Sequence, residues 1–319
     1  MAPKTSASDF DTKFVLAYCF TERQHQVDFG FCYFDLSTLR VYTGSFEDDF
    51  TLKKFRTLVL QIRPVEVVCL TSVDKKHQTL GILMNCAVPP CLSQLSRQTI
   101  GFTRAETTQV LEQKLQKFFP NKDSPEFLET CRKKISDLQQ ESMVSALLIA
   151  VCYLESLMLA ETTLPVCEFF KINSLEDAKK SLQKTHMVID AQAIEHLELL
   201  EIPGKSRNIQ EGTLLSYLTK HNNSAFGKRL MKKWLVHPLR DVDRINTRLD
   251  AVEDLKEHSE LRSSMARLLS GLPDLERMVS KIYTYSVKQS VAAIYIDMQA
   301  KRRLDEFYDL LATFKKVES

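Results

Sequence analysis

Residues that could handle phosphate or metal are present in this sequence, but their spacing matches no working site. Gly227-Lys228 is the nearest approach to a phosphate loop. That loop needs a glycine five residues before the pair's own glycine, and Ser or Thr after the lysine. Here those places hold Asn222 and Arg229. Gly204-Lys205 is followed by Ser206, yet Leu199 stands where the first glycine belongs. A nuclease that gathers divalent ions on converging carboxylates would draw on Asp28, Asp35 and either Glu66 or Asp74. Asp28 and Asp35 are an odd number of residues apart, so a regular strand points them to opposite faces. Both read as turn residues at strand ends. His25 falls in a turn. His186 and His196 flank an acidic helix, but His196 and Glu195 do not share a face of it. His237 closes a helix, where a cationic ring suits the dipole. Cys86-x4-Cys91 is the only close cysteine pair and a thin basis for a metal. These residues predict no catalytic side chain, no cofactor-binding side chain and no metal ligand.

Charge is more informative. The whole chain carries a net charge of only +2. Residues 205–244 nevertheless hold nine Lys or Arg against three Asp or Glu. A local basic surface of this kind can touch phosphates, and Lys228, Arg229, Lys232 and Lys233 are the candidate DNA contacts. The plainer reading is a helix with one apolar face (Phe226, Leu230, Trp234, Leu235) packed inward and its cations solvated on the other. No interleaved aromatic residues offer a base-stacking platform.

The elements that must position these residues change character along the chain. A length of 319 residues suits about two domains. Only 8 glycines, far below the usual ~7%, favour helices over sandwiches. Residues 1–13 read as a disordered N-terminus. Residues 14–120 read as an α/β domain. Phe14–Phe20, Val27–Leu36 and Arg40–Phe46 form an antiparallel meander. A helix over Asp48–Arg63 stops at Pro64, Val65–Leu70 is a strand buried on both faces, and Ala105–Phe119 is amphipathic. From 121 to 319 the pattern is helical. Ser136-x-x-Gln139 is a capping box ahead of an apolar helix, Leu138–Leu159. Cys167–Ile172 is a brief strand. Helices follow at 174–183, 189–200, 213–221, 224–236, 241–257, 259–270, 274–286 and from about Val287 to Lys316. The longest apolar run, Ala146–Leu154, falls short of the ~20 residues a spanning helix needs, so no membrane contact is expected. Cysteines embedded in apolar runs read as reduced and point to the cytosol or nucleus.

One set of segments resembles a known family. Glu211-Gly212-Thr213-Leu214-Leu215 is followed by Ser224-Ala-Phe226-Gly227-Lys-Arg-Leu230-Met-Lys-Lys-Trp234-Leu-Val-His-Pro238-Leu. Then comes Asp241-Val-Asp-Arg-Ile245-Asn-x-Arg248-Leu249-Asp250-Ala-Val252. Together these resemble the core-domain signature of the MutS family of DNA mismatch repair proteins. Met187-Val-Ile-Asp190 and Gly271-Leu-Pro273-Asp274-Leu-Glu276-Arg277 resemble the flanking segments. The first half is similar to the family's connector, an α/β module of ribonuclease H-like topology, and is most like the eukaryotic homologue 6 type. In the residues themselves Gly212, Phe226, Gly227, Leu230, Trp234, Pro238, Ile245, Leu249 and Asp250 read as structural: turns, caps and helix stripes. Ile245, Leu249 and Val252 are expected to be buried.

The resemblance implies a connector and the first part of a helical core, truncated before the clamp and ATPase domains. Such a region would relay between mismatched-DNA binding and ATP state in an intact protein, with ATP and magnesium bound only there. It implies a MutS homologue 2-type partner subunit, a nuclear location, and no enzyme in this chain. The alternatives are a metal-dependent ribonuclease H-like nuclease and a free-standing adaptor that binds a MutS-homologue partner.

Overall fold

The computed structural model describes residues 11–22, 26–71, 78–96, 107–118, 141–172, 186–202, 212–222, 224–286 and 296–318. The chain divides into two compact units. One comprises Lys13–Glu176 with Tyr283–Ala292; the other comprises Met1–Thr12, Asp177–Ile282 and Ala293–Ser319.

The first unit is built on a six-stranded mixed sheet in the order β5-β4-β1-β2-β3-β6. Strands β1 (Val15–Glu22), β2 (Val27–Asp35) and β3 (Arg40–Asp48) form the expected antiparallel meander. Strands β4 (Glu66–Leu70) and β5 (Cys91–Leu95) run parallel to β1, and β6 (Glu168–Ile172) runs parallel to β3. This is the ribonuclease H-like α/β arrangement. Helix α1 spans Lys53–Ile62 and α2 Gln78–Met84. With Leu16, Tyr18, Phe29, Phe46 and Val67, Phe55 of α1 and Leu83 of α2 form the core on one face of the sheet. Helices α3 (Thr107–Phe118) and α4 (Glu141–Ser156) pack with Ala17, Cys32, Phe34, Val41 and Val68 on the other. Adjacent strand residues alternate between these two cores, as a period of two requires. The β4 run Val67-Val68-Cys69 is fully buried because it has a helical layer on each side.

One boundary differs from the sequence reading. The α/β unit does not end near residue 120. Helix α4 supplies eleven buried residues from Met143 to Leu154 and sits on the sheet, and β6 joins the sheet edge. An apolar stretch read as the first core-domain helix is apolar all round because it lies between sheet and helix, not because it belongs to a bundle. The α2 helix and β5 strand carry too few patterned residues to stand out in the sequence. The first ten residues of the expected disordered N-terminus, the capping box at 136–139 and the 174–183 helix lie outside the described residues.

The second unit is helical. Short helix α5 (Ala160–Thr163) lies in the sheet unit, and the helical unit's first described helix is α6 (Ala191–His196). Then follow α7 (Leu214–Thr219), α8 (Ala225–Val236), α9 (Val242–Glu257), α10 (Ser259–Ser270), α11 (Leu275–Thr284) and α12 (Ile296–Glu318). No described helix is long and apolar enough to cross a membrane by itself. The helical unit is thinly packed: α9, α10 and α11 contain no buried residue.

Candidate functional site: an ion-paired helical junction

Caps fix where the helices of the second unit begin. Asp190 accepts from the Ala193 amide and starts α6. Gly212 has φ +101, a conformation that suits a residue without a Cβ, and it turns the chain so that Thr213 caps α7 through the Ser216 amide. Ser224 caps α8 through the Gly227 amide, and Asp241 caps α9 through the Arg244 amide. Pro238 lies just past α8; its carbonyl accepts from the Met187 amide at 2.7 Å, and His186 bridges to Leu239. The carbonyls of Glu198 and Leu199 accept from the amides of Leu214 and Leu215. The motif segments therefore build one backbone framework.

The Gly227 amide is thus used inside a cap, and Lys228 lies in a helix turn. Neither is arranged as a phosphate cradle, so these residues do not fit ATP.

Arg229 is the centre of the junction. Its side chain is 8% exposed. Nη1 and Nη2 donate to the two Asp274 oxygens at 2.7 and 2.6 Å, while Nε and Nη2 donate to Glu276 at 3.0 and 2.7 Å. A guanidinium fork gripping a carboxylate in this way is among the strongest of charge-assisted contacts. Burial raises the Asp274 pKa, but the Arg229 hydrogen bonds and charge outweigh it and hold the carboxyl below its ordinary value. Lys232 Nζ pairs with Asp11 at 2.7 Å, and Arg277 donates to the Asp11 carbonyl at 2.9 Å. Asp11, which the sequence placed in a disordered start, is thereby bound into the helical unit.

These contacts correct two expectations. Of the four candidate DNA contacts, Arg229 and Lys232 are buried ion-pair partners, not solvated cations. Lys228 is half-buried and Lys233 exposed. The expected packed stripe of α8 faces outward: Leu230 is 47% and Trp234 38% exposed. Phe226 and Leu235 are half-buried. The inward face is Arg229, Lys232 and Val236, because Asp274, Glu276 and Asp11 compensate the buried cations there. Likewise α9 buries nothing: Ile245 is half-buried, Leu249 and Val252 are 59% and 64% exposed, and Asp250 is exposed. Arg248 covers one face of Trp234, its guanidinium carbon 3.7 Å from the ring centroid. The sequence reading missed Asp11, Asp274 and Glu276 as partners. The one legible signal was an acidic pair at the start of a helix in a chain with a strongly basic one.

The carboxylates of the sheet unit have structural roles. Asp35 accepts from the Ser37 amide and from the Ser37 and Thr38 hydroxyls, as a turn residue does. Asp48 accepts from the Lys54 and Phe55 amides at the start of α1. Burial raises the Asp48 pKa, and its backbone hydrogen bonds offset this only in part. Glu66 accepts from the Tyr153 and Ser93 hydroxyls. The β2 register is unbroken, so Asp28 and Asp35 point to opposite faces. These side chains do not converge on a divalent ion, and Asp74 lies outside the described residues. Among the described residues no group of three His, Cys, Asp or Glu could hold a metal. A shallow cleft of about 380 Å³ between α2 and β5 is lined by Leu80, Gly81, Met84, Leu92 and Gln94, none of them titratable.

Comparison with known proteins agrees with the two-unit layout. The model for MutS domain II matches residues 13–166, and that for MutS domain III matches residues 192–319. DNA mismatch repair protein Msh6 of Gallus gallus is 29% identical over 318 residues, which cover 90% of this chain and 23% of that protein. DNA mismatch repair protein MSH6 of Arabidopsis thaliana is 30% identical, covering 89% and 22%. DNA mismatch repair protein MutS of Thermotoga maritima is 34% identical over 136 residues, covering 42% and 16%. The chain spans less than a quarter of the length of these relatives. A solved Fowlpox virus resolvase covers 46% of the chain at 10% identity with a TM-score of 0.28, too low to carry an argument. With one domain model matching the sheet unit and the next in order matching the helical unit, this chain belongs to the MutS family, of which it carries domains II and III, and is homologous to the MSH6 mismatch repair proteins.

Proposed function

We propose that the chain is the connector and first core portion of a mismatch repair protein, and that it acts mechanically. In the intact protein this region relays between mismatched-DNA binding and ATP state. The observation that carries the reading is the pairing of MutS domains II and III in one chain with a helical junction tied by Arg229 to Asp274 and Glu276. A buried bidentate contact lets displacement pass from one helix to another without slack. The partner is a MutS homologue 2-type subunit together with other repair proteins. Mismatched duplex DNA is engaged only in that assembly, and the location is the nucleus. The chain itself uses no cofactor and is not an enzyme.

Purified protein tests this directly. It is expected to hydrolyse no ATP above background and to co-purify with a MutS homologue 2-type subunit from nuclear extract. ATP turnover by the pure chain, or failure to bind any MutS-family subunit, overturns the reading. Magnesium-dependent DNA cleavage abolished by Asp35→Ala would replace it with the nuclease alternative.

A further inference from the structure

Five charged residues of the helical unit close a ring. Lys232 of α8 donates to the Asp11 carboxylate at 2.7 Å, and the Asp11 carbonyl accepts from Arg277 of α11 at 2.9 Å. Arg277 Nε lies 3.4 Å from the Asp274 carboxylate. Asp274 in turn accepts from Arg229, back on α8. Arg229 and Lys232 are three residues apart and share a face of that helix. Glu276 joins through Arg229, so the cluster sets three cations against three carboxylates. Asp11 is the member that comes from far away in the chain, 221 residues before Lys232. The Lys232 side chain is only 10% exposed. Withdrawing Asp11 leaves three cations with two carboxylates, and a cation held out of water is costly without its counter-charge.

The segment that carries Asp11 runs straight into the sheet. Thr12 ends the helical unit's opening segment, and Lys13 begins the sheet unit. On one side, the Thr12 amide donates to the Asp11 carboxylate at 3.2 Å. On the other, the Phe14 carbonyl accepts from the Val65 amide at 2.9 Å, and the Phe14 ring meets Tyr33 and Tyr42 edge-on. Strand β1 begins at the next residue, Val15. Lys13, which is exposed, is all the chain between these anchored points. One residue spans at most about 3.5 Å, so Lys13 holds little slack. Strand β1 is held by eight residue pairs with β2, whereas Asp11 is held by two charge-assisted hydrogen bonds. Under tension the Asp11 end gives first.

We propose that Asp11 is a latch through which displacement of β1 reaches the α8–α11 junction. Seated, it closes the ring and makes the junction feel β1. Unseated, it leaves the ring with an excess cation and loosens α8 against α11. Asp11 is thus a positioning residue, acting through Lys232 and Arg277. This rests on the relay reading and names the residues that would carry it.

Hydrogen exchange on the full chain at neutral pH tests the latch. Asp11→Asn keeps the backbone carbonyl and the side-chain shape but removes the charge. It is expected to speed exchange of α8 and α11 amides roughly tenfold, as the loss of one charge-assisted hydrogen bond implies, with circular dichroism unchanged. A purely structural contact would do the same, so a second measurement reads transmission. Phe14→Ala loosens the sheet-side anchor; Phe14→Leu is the milder form should the alanine variant fail to fold. Either is expected to speed α8 and α11 exchange in the otherwise unaltered chain. The same substitution should leave that exchange unmoved once two glycines are inserted between Lys13 and Phe14, because slack then absorbs the shift. The latch is overturned if Asp11→Asn leaves α8 and α11 exchange unchanged. It is equally overturned if the Phe14 substitution has no effect on those helices, or acts alike with and without the inserted glycines. Failure of the relay reading would show separately, in ATP turnover by the pure chain or in lost subunit binding.

Discussion

Arg229 is a basic residue on a basic helix, and its position in the sequence alone suggests a surface cation. Its guanidinium instead makes four hydrogen bonds to two carboxylates nearly fifty residues away. Removing it strands Asp274 and Glu276, which are partly exposed (20% and 35%) and so are partly rescued by water. Arg229→Ala should therefore destabilise the helical unit by about 1–3 kcal/mol, below the 3–5 typical of fully buried pairs. Arg229→Lys should recover little, because an ammonium cannot reproduce the fork. Urea unfolding followed by Trp234 emission checks both; an unchanged midpoint for Arg229→Ala would show that the junction carries no stability.

Elements in the sheet unit meet closely enough to make single atoms decisive. A Cβ on Gly30 of β2 would lie 1.8 Å from the Ser142 carbonyl oxygen and 2.5 Å from the Met143 amide nitrogen, both backbone atoms of α4. The helix cannot give way without leaving the core that eleven of its residues share. Gly30→Ala is expected to cost the sheet unit about 1–3 kcal/mol or more by overpacking, seen as a lowered thermal midpoint, whereas Gly81→Ala, with open space around its Cβ, should not. The outer side of the same helix carries a pH-dependent tie. Lys114 Nζ donates to Glu155 at 2.6 Å and Lys117 Nζ donates to the same carboxylate at 3.0 Å, and these contacts hold the Glu155 carboxyl below its ordinary value of 4.5. A depressed carboxylate contributes fully above the unfolded pKa and loses that contribution as pH falls through the folded one. Stability of the sheet unit should therefore decline below pH 4.5 in part through this group. Glu155→Gln should shallow the decline in urea midpoints measured across the acid range.

At the scale of the whole molecule the two units differ in how much they bury. The sheet unit has a core on each face, with Tyr18, Phe29, Phe46 and Phe55 nearly solvent-free on one and α4 on the other. At ~1.5–3 kcal/mol for each large apolar side chain withdrawn from water, that difference decides the order of unfolding. The helical unit's buried apolar residues are few, Ile194, Leu199, Leu200, Leu215, Val236 and Leu310 among them. Heating should therefore give two transitions, with Trp234 emission changing in the earlier one and the near-ultraviolet tyrosine signal of the sheet unit in the later. A single coincident transition would show that the units unfold together.

Strands β1 to β4 and β6, most helices and their ends were fixed by local rules. Alternation, Pro64, the Gly271–Pro273 break, and the caps at Thr213, Ser224 and Asp241 act within a few residues of themselves, so the amino-acid order alone determined them. The turn role of Asp35 was legible for the same reason. What only the tertiary structure decided was long-range. A helix apolar on every side says that it is buried but not against what, so the reach of the α/β unit past residue 120 depended on α4 finding the sheet. Which face of α8 turned inward was also open. Apolar spacing favoured Phe226, Leu230 and Trp234, but the face with carboxylates waiting opposite, from Asp11 and from Asp274 with Glu276, was the one that could be buried, because a charge leaves water only where a distant partner meets it.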